Sequence, residues 1–503
     1  MFLTTESWSL QKEQKLDSRK ERLNIWFTVS EVQGIVKSGG LADVAKALPK
    51  ALMELGHQVA IVLPGYRTVP EKDAYPVVIE TELTHWPHIR YQVRQGELDG
   101  VTLYLIDCDA YFDRPELYAE NNQAYADNGE RYGFFSAACL DVLPKLGIKP
   151  DIIHANDWHT GLVPFLLKTR FEHDAYFEDV KSVITIHNAM FKGVFSHHQL
   201  EVIPELNLSG MEFLEYGHDH ISLLRAGIAF ADKVNAVSPN YASELLTPLG
   251  SHGLVDDFVR RARDLHGIVN GCDYSEWNPR TDKYLPVCYS ESPGSLKKGK
   301  AASKKVLQEE LHLPQRAVPM FGMVCRLTHQ KGFHFIVPIL EKFLHNDVQL
   351  VIIGTGEPEV ASQLRKIANA HPDQFAFVEA YNNRFAHLVE AGSDFFLMPS
   401  EFEACGLNQI YSMAYGTLPI VREVGGLKDT VLDYDKFPNE ATGFGFQEPS
   451  AEALLITMQR ALLFYLQHPD IMLEVQQRAM LRDFSWKESA LEYIKMYHFA
   501  MFE

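Results

Sequence analysis

The sequence predicts an α/β protein with two doubly wound, Rossmann-like domains that face each other across a cleft. Its 503 residues are too many for one ordinary hydrophobic core. Short apolar runs of strand length alternate with longer helical stretches, a pattern typical of parallel sheets covered by helices on both faces. The alternation stops at a Pro- and Ser-rich stretch, residues 277–294, and then resumes. A second sheet is therefore expected after this stretch.

The first domain is expected at residues 23–275, after an N-terminal extension of residues 1–22. A strand at Asn24–Ser30 leads into a helix at Leu41–Leu55. Five further apolar runs of strand length follow. They are Gln58–Leu63, Val101–Asp107, Asp151–Ala155, Ser182–His187 and Lys233–Val237. The helical stretches between them predict a parallel sheet.

The second domain is expected at residues 276–484, where the same alternation continues. Its predicted strands are Met320–Val324, Gln349–Ile353, Phe375–Val378, Phe395–Met398 and Leu418–Val421. A final helical stretch, Trp486–Phe499, lies within residues 485–503. We expect this helix to cross back to the first domain.

Composition and charge disfavour several classes of function. The net charge of -19 opposes nonspecific binding to nucleic acids and to anionic membranes. No apolar run reaches the ~18 residues of a membrane-spanning helix. The first 22 residues mix acidic and basic side chains and lack the apolar stretch of a signal peptide. The six cysteines include no C-x-x-C pair, which predicts free thiols. These features predict a cytoplasmic protein that binds neither nucleic acid nor membrane.

Chemically active side chains are expected beyond the carboxyl ends of the strands, where parallel α/β sheets bind ligands. The first cluster, residues 37–43, opens the first helix. Gly39 and Gly40 allow a ligand to approach the backbone closely, and free N–H groups at a helix start favour an anion. Lys37 adds a mobile positive charge. A plain glycine turn with a surface lysine is the alternative.

Polar clusters follow two adjacent strands, at His154–Thr160 and Thr185–Asn188. Sugar hydroxyl groups need hydrogen-bond donors and acceptors, and the C–H face of a sugar packs on an aromatic ring, so these clusters favour a sugar site. A metal site built from Asp157, His159 and His187 is the alternative. It is disfavoured because no familiar ligand spacing is present.

The second domain carries two comparable clusters. Arg326 and Lys331 follow its first strand. An arginine can bind two phosphate oxygens at once through its guanidinium group, and a lysine binds them as a point charge. Solvated surface cations are the alternative. Residues 399–409 run from a strand to a helix start, where the amides near Gly406 favour a phosphate. Glu403 lies in this loop, so it needs a different partner, such as sugar hydroxyl groups or positive charge developing at an anomeric carbon.

In order and spacing, these five clusters resemble the bacterial glycogen synthases and starch synthases, which are retaining glucosyltransferases of the GT-B architecture. The resemblance extends from about Ile25 to the segment Phe484–Trp486. Further stretches of the same pattern are Tyr111–Pro115, Ala236–Tyr241, Val269–Asp273 and Trp277–Asp282. An ordered set of motifs is far more specific than any single one.

The resemblance implies transfer of glucose from ADP-glucose to the non-reducing end of an α-1,4-glucan, with retention and with no metal or other cofactor. UDP-glucose is the alternative donor. The implied catalytic residues are Lys37, His187, Arg326, Lys331 and Glu403. The implied donor-binding residues are Gly39, Gly40, Asp43, Asn270, Gln330, Tyr381, Ser400, Cys405, Gly406, Leu407 and Asn408. The implied acceptor- and sugar-binding residues are Tyr118, Asp157, Trp158 and Asn188.

Three positions depart from the family pattern. The family often has Arg where this chain has Glu401 and Glu423, and an acidic residue where it has Asn383. All three are expected on the nucleotide side of the site, so they bear on the choice between ADP-glucose and UDP-glucose. No carboxylate is an evident covalent nucleophile, which favours an ion-pair-like transfer on one face of the sugar.

Two other functions are alternatives to this interpretation. A glucan phosphorylase has a similar layout but carries pyridoxal phosphate, and the lysine pattern for that cofactor is missing. A glucan-binding protein that has lost catalysis is the other alternative. It is disfavoured because Lys37, Lys331 and Glu403 are all present.

Overall fold

The structure is a computed structural model that describes residues 22–83, 86, 89–121, 123–380 and 382–502. The expected N-terminal extension lies outside the described residues, apart from Arg22. The described chain forms two compact units. Unit 1 comprises the residues up to Ala236, Leu245–Ile268 and the stretch from Ser489 onward, and unit 2 comprises Val237–Glu244 and Val269–Glu488.

The strands of unit 1 are short, and those at the centre of its main sheet are buried. In chain order they are β1 Asn24–Thr28, β2 Gln58–Pro64, β3 Val77–Glu82, β4 Arg90–Leu98, β5 Val101–Asp107, β6 Ala119–Glu120, β7 Gln123–Ala124, β8 Ile152–Asn156, β9 Lys181–Ile186, β10 Val194–Ser196, β11 His220–Ser222, β12 Lys233–Ala236 and β13 Leu265–Gly267. The α-helices up to residue 260 are α1 Leu41–Glu54, α2 Asp109–Phe112, α3 Asn128–Leu146, α4 Leu162–Lys168, α5 Leu223–Phe230, α6 Pro239–Leu245 and α7 Val255–Arg260. Short 3₁₀ helices occur at Lys72–Ala74, Trp158–Thr160, His197–Leu200, Pro204–Asn207 and Glu212–Leu214.

Over the described residues, unit 1 has a nine-stranded sheet in the order β13-β12-β9-β8-β1-β2-β5-β4-β3. The pairs from β13 to β5 are parallel. An antiparallel edge, β4 with β5 and β3, was not expected from the sequence. The chain moves outward in one direction through β2 and β5 and in the other through β8, β9 and β12. The strand order therefore reverses between β1 and β8, as in a doubly wound sheet.

Unit 2 contains the remaining strands and helices. Its strands are β14 Met320–Val324, β15 Gln349–Ile353, β16 Phe375–Val378, β17 Phe395–Met398, β18 Leu418–Arg422 and β19 Phe444–Phe446. Its helices are α8 Pro293–Glu310, α9 Phe333–Phe343, α10 Pro358–Ala370, α11 Asn383–Gly392, α12 Asn408–Ala414, α13 Gly425–Thr430, α14 Ala451–Gln467 and α15 Pro469–Met480, with a 3₁₀ helix at His329–Lys331. In the described chain the six strands run parallel in the order β16-β15-β14-β17-β18-β19, so this order reverses between β14 and β17.

The sheet of unit 2 is buried on both faces. Successive residues of its strands point to opposite faces, and they enter two separate hydrophobic clusters. On β15, Leu350 and Ile352 belong to one cluster, whereas Val351 and Ile353 belong to the other. This arrangement explains why the sequence of the strand is apolar throughout. The predicted fold class, two Rossmann-like α/β domains, is confirmed.

The last helix, α16 Trp486–Phe502, ends in unit 1. The Tyr497 hydroxyl lies 2.8 Å from Nδ1 of His154 on β8. The Asn235 side chain on β12 donates to the Tyr493 hydroxyl at 3.0 Å. Both tyrosines are fully buried, so this helix completes the core of unit 1.

The described part of the chain has no helix that is both long and apolar enough to cross a membrane. The six cysteines are free thiols, as predicted, and all but Cys288 are at least partly buried.

Candidate functional site

The strand order places the predicted clusters at the two reversal points. In unit 1, β1 and β8 are neighbours, and β9 adjoins β8. The loops that follow these three parallel strands therefore lie at one edge of the sheet. In unit 2, β14 and β17 are neighbours, so the loops after them lie together in the same way. Each of the five clusters follows one of these strands.

A buried carboxylate organises the loop after β1. Glu31, which is 4% exposed, accepts hydrogen bonds from the backbone N–H groups of Ser38 and Gly39, the latter at 2.9 Å. The Ser38 hydroxyl also donates to it at 3.0 Å, and the Tyr118 hydroxyl at 3.2 Å. The Gly39 amide that we expected to be free for an anion is therefore occupied by Glu31. Sequence reasoning missed Glu31, because its role depends on a loop conformation that no spacing reveals.

The lysine of this loop forms a partly exposed ion pair. Lys37 Nζ lies 2.5 Å from Asp43 Oδ1 in the first turn of α1, and the two side chains are 41% and 21% exposed. Solvent weakens such a pair to less than about 1 kcal/mol. A Cβ at Gly40 would have no protein atom within 4 Å. Open space and a releasable cation thus lie together at the start of α1.

Asp157 fixes the segment that follows β9. Its Oδ1 accepts the backbone N–H groups of His187 at 2.8 Å and Asn188 at 3.4 Å. Its φ of 53° is unusual for a non-glycine residue. Burial raises the pKa of Asp157 to about 7, although the two hydrogen bonds act in the opposite direction. Backbone strain and a perturbed carboxyl group are typical of functional sites.

His187 is a neutral imidazole. Burial lowers the pKa of His187 to about 3. The Asn156 side-chain amide donates to the Thr28 carbonyl at 3.0 Å, which directs Asn156 Oδ1 toward the ring. His187 Nε2 lies 2.9 Å from that oxygen and donates to it. The unprotonated Nδ1 can therefore accept a hydrogen bond, and His187 brings no positive charge.

The Trp158 ring, which we expected to pack on a sugar, is largely buried. The side chain is only 9% exposed. Its ring stacks on His159 with the centroids 4.0 Å apart and meets Tyr132 edge-on at 5.0 Å. A Cβ at Gly193 would lie 2.4 Å from the same ring. Trp158 is instead a buried support for the residues around it.

Two donors hold the Glu403 carboxylate in unit 2. Lys331 Nζ lies 2.5 Å from its Oε2, and the Ser400 hydroxyl donates to the same oxygen at 2.9 Å. The Lys331 and Glu403 side chains are only 19% and 11% exposed. Gly425, with a φ of 42°, packs so closely that a Cβ would lie 1.7 Å from the Glu403 carbonyl oxygen. The position of Glu403 is therefore fixed from its side chain and from its backbone.

Polar contacts tie the loop after β14 to the loop after β17. The Glu401 N–H donates to the Gln330 carbonyl at 2.8 Å. His334 Nε2 lies 3.1 Å from the Glu401 carboxylate. Arg422 Nε donates to the Ser400 carbonyl at 2.9 Å. By contrast, the Arg326 side chain is exposed.

The two glutamates that depart from the family pattern have partners within unit 2. Glu401 is paired with His334, and the Glu423 carboxylate binds the Lys436 ammonium group and accepts from Gln447 at 3.0 Å. Asn383 is the first residue of α11. Tyr381, expected on the nucleobase, lies outside the described residues.

The backbone after Glu403 offers unused donors. Within the described chain, the backbone N–H groups of Gly406, Leu407 and Asn408, where α12 begins, donate no hydrogen bond. The Asn408 side chain donates to the carbonyl of Val324 on β14 at 2.7 Å. Three adjacent N–H groups of this kind favour an anion.

Two further predicted residues are buried against each other. The Asn270 N–H bonds the sulfur of Cys405, and burial raises the pKa of this thiol to about 12. Cys405 is therefore a neutral thiol that fills space. Within the described residues, the side-chain oxygen of Asn270 is buried without a hydrogen-bond partner. The described residues contain no group of three His, Cys, Asp or Glu side chains arranged to hold a metal ion.

Family profiles match both halves of the chain. The family described as "Starch synthase catalytic domain" matches residues 24–260. The family described as "Glycosyl transferases group 1" matches residues 309–465.

Close relatives and solved structures agree with these profiles. The chain is 78% identical to a glycogen synthase of Vibrio cholerae serotype O1 over 482 residues, which cover 96% of this chain and 100% of the relative. It is 58% identical to a glycogen synthase of Vibrio atlanticus, covering 95% and 99% of the two chains. The catalytic domain of starch synthase IV from Arabidopsis thaliana, bound to ADP and acarbose, superposes with a TM-score of 0.85 at 30% identity, covering 96% and 100%. A sucrose-phosphate synthase from Thermosynechococcus elongatus, at 20% identity and a TM-score of 0.58, shares the fold.

Proposed function

Because the chain belongs to the glycogen synthase and starch synthase family, we propose that it transfers glucose from ADP-glucose to the non-reducing end of an α-1,4-glucan. It is a retaining glycosyltransferase of the GT-B architecture. The observation that carries a catalytic role for this chain is the cluster of Lys331, Glu403 and Ser400 beside the unbonded amides that begin at Gly406.

The leaving group is a nucleoside diphosphate, whose negative charge grows as the C1–O bond breaks. Lys331 and the exposed Arg326 supply fixed and mobile positive charge for it, and the amides of Gly406 and Leu407 supply hydrogen bonds. Preorganised donors of this kind stabilise a developing anion by about 3 to 4 kcal/mol each. No metal ion is required in this scheme.

Glu403 binds the donor glucose. A carboxylate held by Lys331 and Ser400 keeps its second oxygen for sugar hydroxyl groups. Its negative charge also favours the oxocarbenium-like character that develops at C1. Retention then follows from an ion-pair-like step, in which the acceptor hydroxyl attacks the face that the diphosphate leaves, and a leaving phosphate oxygen takes up its proton.

The acceptor side uses the polar edge of unit 1. Asp157 fixes the backbone of His187 and Asn188, and neutral His187 offers its Nδ1 lone pair to a sugar hydroxyl. Tyr118 joins the same edge through its bond to Glu31. Neutral and polar groups of this kind suit an uncharged polymer.

The nucleotide is assigned as ADP, in agreement with the ADP bound to the Arabidopsis thaliana starch synthase IV domain. The Glu423 carboxylate is paired with the Lys436 ammonium group, and the Glu401 carboxylate lies 3.1 Å from His334 Nε2. We place the reaction in the cytoplasm, where a nucleotide sugar and a storage glucan occur together.

Incorporation of labelled glucose into glycogen tests the proposal, with ADP-glucose and UDP-glucose compared side by side. Transfer from ADP-glucose that falls at least 100-fold in Glu403→Ala supports it. Glu310→Ala is the matched control, since it removes a second paired glutamate of unit 2 and is expected to retain activity. Preference for UDP-glucose would revise the donor, and glycogen binding without transfer from either donor would overturn the catalytic role.

A further inference from the structure

The turn between Asn188 and Gly193 is fixed at both ends. At its start, Asp157 accepts the Asn188 N–H, and Asn188 accepts the Phe191 N–H on its carbonyl at 3.2 Å. At its end, the Leu223 N–H donates to the Gly193 carbonyl at 2.9 Å. Gly193 has a φ of 57° and leaves no room for a side chain above the Trp158 ring. The turn is therefore held in one conformation on the buried Trp158.

Two large apolar side chains at the tip of this turn face solvent. Met190 is 48% exposed and Phe191 is 57% exposed. The Met190 N–H donates to the Asn188 side chain at 3.0 Å, which ties the backbone of the tip to Asn188 while the tip's side chains remain uncovered. A fixed turn that exposes an aromatic ring is a ready binding surface, because the ring loses little conformational freedom on binding.

The place of the ring in the chain indicates its ligand. Phe191 comes four residues after His187 and three after Asn188, the groups assigned to the reacting sugar and acceptor. Glucan rings are uncharged, and their C–H faces are apolar. The Trp158 ring that we had expected to pack on such a face is buried, whereas Phe191 is open.

We propose that Phe191 is the aromatic platform on which a glucose unit of the acceptor glucan stacks, and that Trp158 and Gly193 act beneath it as the support. The inference rests on the proposed function, since the acceptor is the α-1,4-glucan. Phe191 is a positioning residue that binds acceptor before and during the transfer. Its loss therefore raises the KM for acceptor and leaves kcat unchanged.

Steady-state kinetics with maltohexaose and ADP-glucose test the platform. In Phe191→Ala the acceptor KM is expected to rise about tenfold, with the donor KM and kcat within twofold of the unsubstituted enzyme. Phe191→Trp should restore the acceptor KM, and its added fluorophore should change emission when maltohexaose binds. Phe437→Ala removes an exposed phenylalanine of unit 2, 48% exposed, and is expected to leave all constants unchanged.

An acceptor KM within twofold in Phe191→Ala, or a fall in kcat with unchanged KM, would overturn the platform. Calorimetric titration with maltohexaose separates this result from failure of the proposed function. If the unsubstituted chain transfers no glucose but binds maltohexaose, the catalytic assignment fails. Weaker binding by Phe191→Ala would still support the platform in that case, and equal binding would reject it.

Discussion

Lys331 Nζ lies 2.5 Å from Glu403 Oε2, with both side chains largely buried. Each charge neutralises the other until a ligand arrives. In the proposed reaction, a diphosphate at the α12 amides would compete for Lys331. A sugar at Glu403 would then replace part of the hydrogen bonding that Lys331 gave to this carboxylate. The pair therefore keeps two charges in place that would otherwise be unfavourable in a water-poor site.

The first prediction concerns Lys331. We expect Lys331→Gln to lower kcat/KM for ADP-glucose at least 100-fold, because a fixed cation at the leaving group is lost. Lys331→Arg should recover part of this loss. Lys304→Gln, which breaks another largely buried lysine–carboxylate pair of unit 2, is the control and should change kcat/KM less than threefold. Equal effects of the two Gln substitutions would remove Lys331 from the mechanism.

The second prediction concerns Gly425. In Gly425→Ala, the new Cβ meets the Glu403 carbonyl oxygen, and the positive φ adds strain. We expect a loss of about 1 to 3 kcal/mol in the free energy of unfolding, together with a large loss of transfer activity. Gly294→Ala on α8, where a Cβ meets nothing within 4 Å, should leave both unchanged. Thermal unfolding and the glucose-transfer assay measure the two effects, and normal activity in Gly425→Ala would argue against a fixed Glu403.

The third prediction concerns Glu31. Glu31→Gln removes the negative charge of the carboxylate that accepts hydrogen bonds from the Ser38 and Gly39 N–H groups. Each hydrogen bond to a charged group contributes about 1.5 to 3 kcal/mol to stability. Amide hydrogen exchange across residues 36–40 should become faster, and the free energy of unfolding should fall by about 2 kcal/mol. Glu54→Gln on the exposed end of α1 is the control. Unchanged exchange at the loop would show that Glu31 does not order it.

The fourth prediction follows from the pKa of Asp157, which burial raises to about 7. Between about pH 4 and pH 7 the native state holds a proton that the unfolded state releases. The neutral carboxyl group of Asp157 therefore contributes to the stability of the fold at low pH, and this contribution is lost as the pH rises through 7. Asp157→Asn cannot ionise, so its stability relative to the unsubstituted chain should increase by about 1.4 kcal/mol per pH unit in this window.

Urea unfolding at pH 5 and pH 8 measures this difference. Asp109→Asn, which alters an 84% exposed carboxyl group of the same unit, is the control and should show no such trend. If the stability difference between Asp157→Asn and the unsubstituted chain is the same at both pH values, Asp157 is ionised throughout.

The sequence predicted the central strands closely, because burial on both faces makes a parallel strand apolar along its whole length. The five strands from β14 to β18 match their predicted bounds, apart from the inclusion of Arg422 in β18. The antiparallel strands β3 and β4 were missed. Their side chains are largely half-buried or exposed, so they lack a continuous apolar signal.

The candidate site was predictable in position but not in its supporting contacts. A strand end followed by glycine or by charged residues marks a binding edge, and this placed Lys37, His187 and Glu403. The Gly39 N–H donates to Glu31. The Trp158 ring packs against Gly193, which lies 35 residues further along the chain. Such contacts depend on how loops fold back in three dimensions, which residue spacing does not encode.

The tyrosines of α16 have a consequence for biosynthesis. Tyr493 and Tyr497 fill the core of unit 1 and bond Asn235 and His154, yet they are made more than 250 residues after β12. During translation, unit 1 must remain without its last packing layer until the whole of unit 2 has left the ribosome. The nascent unit therefore lacks Tyr493 and Tyr497 while all of Val269–Glu488 is made, and its core is completed only when the end of the chain arrives.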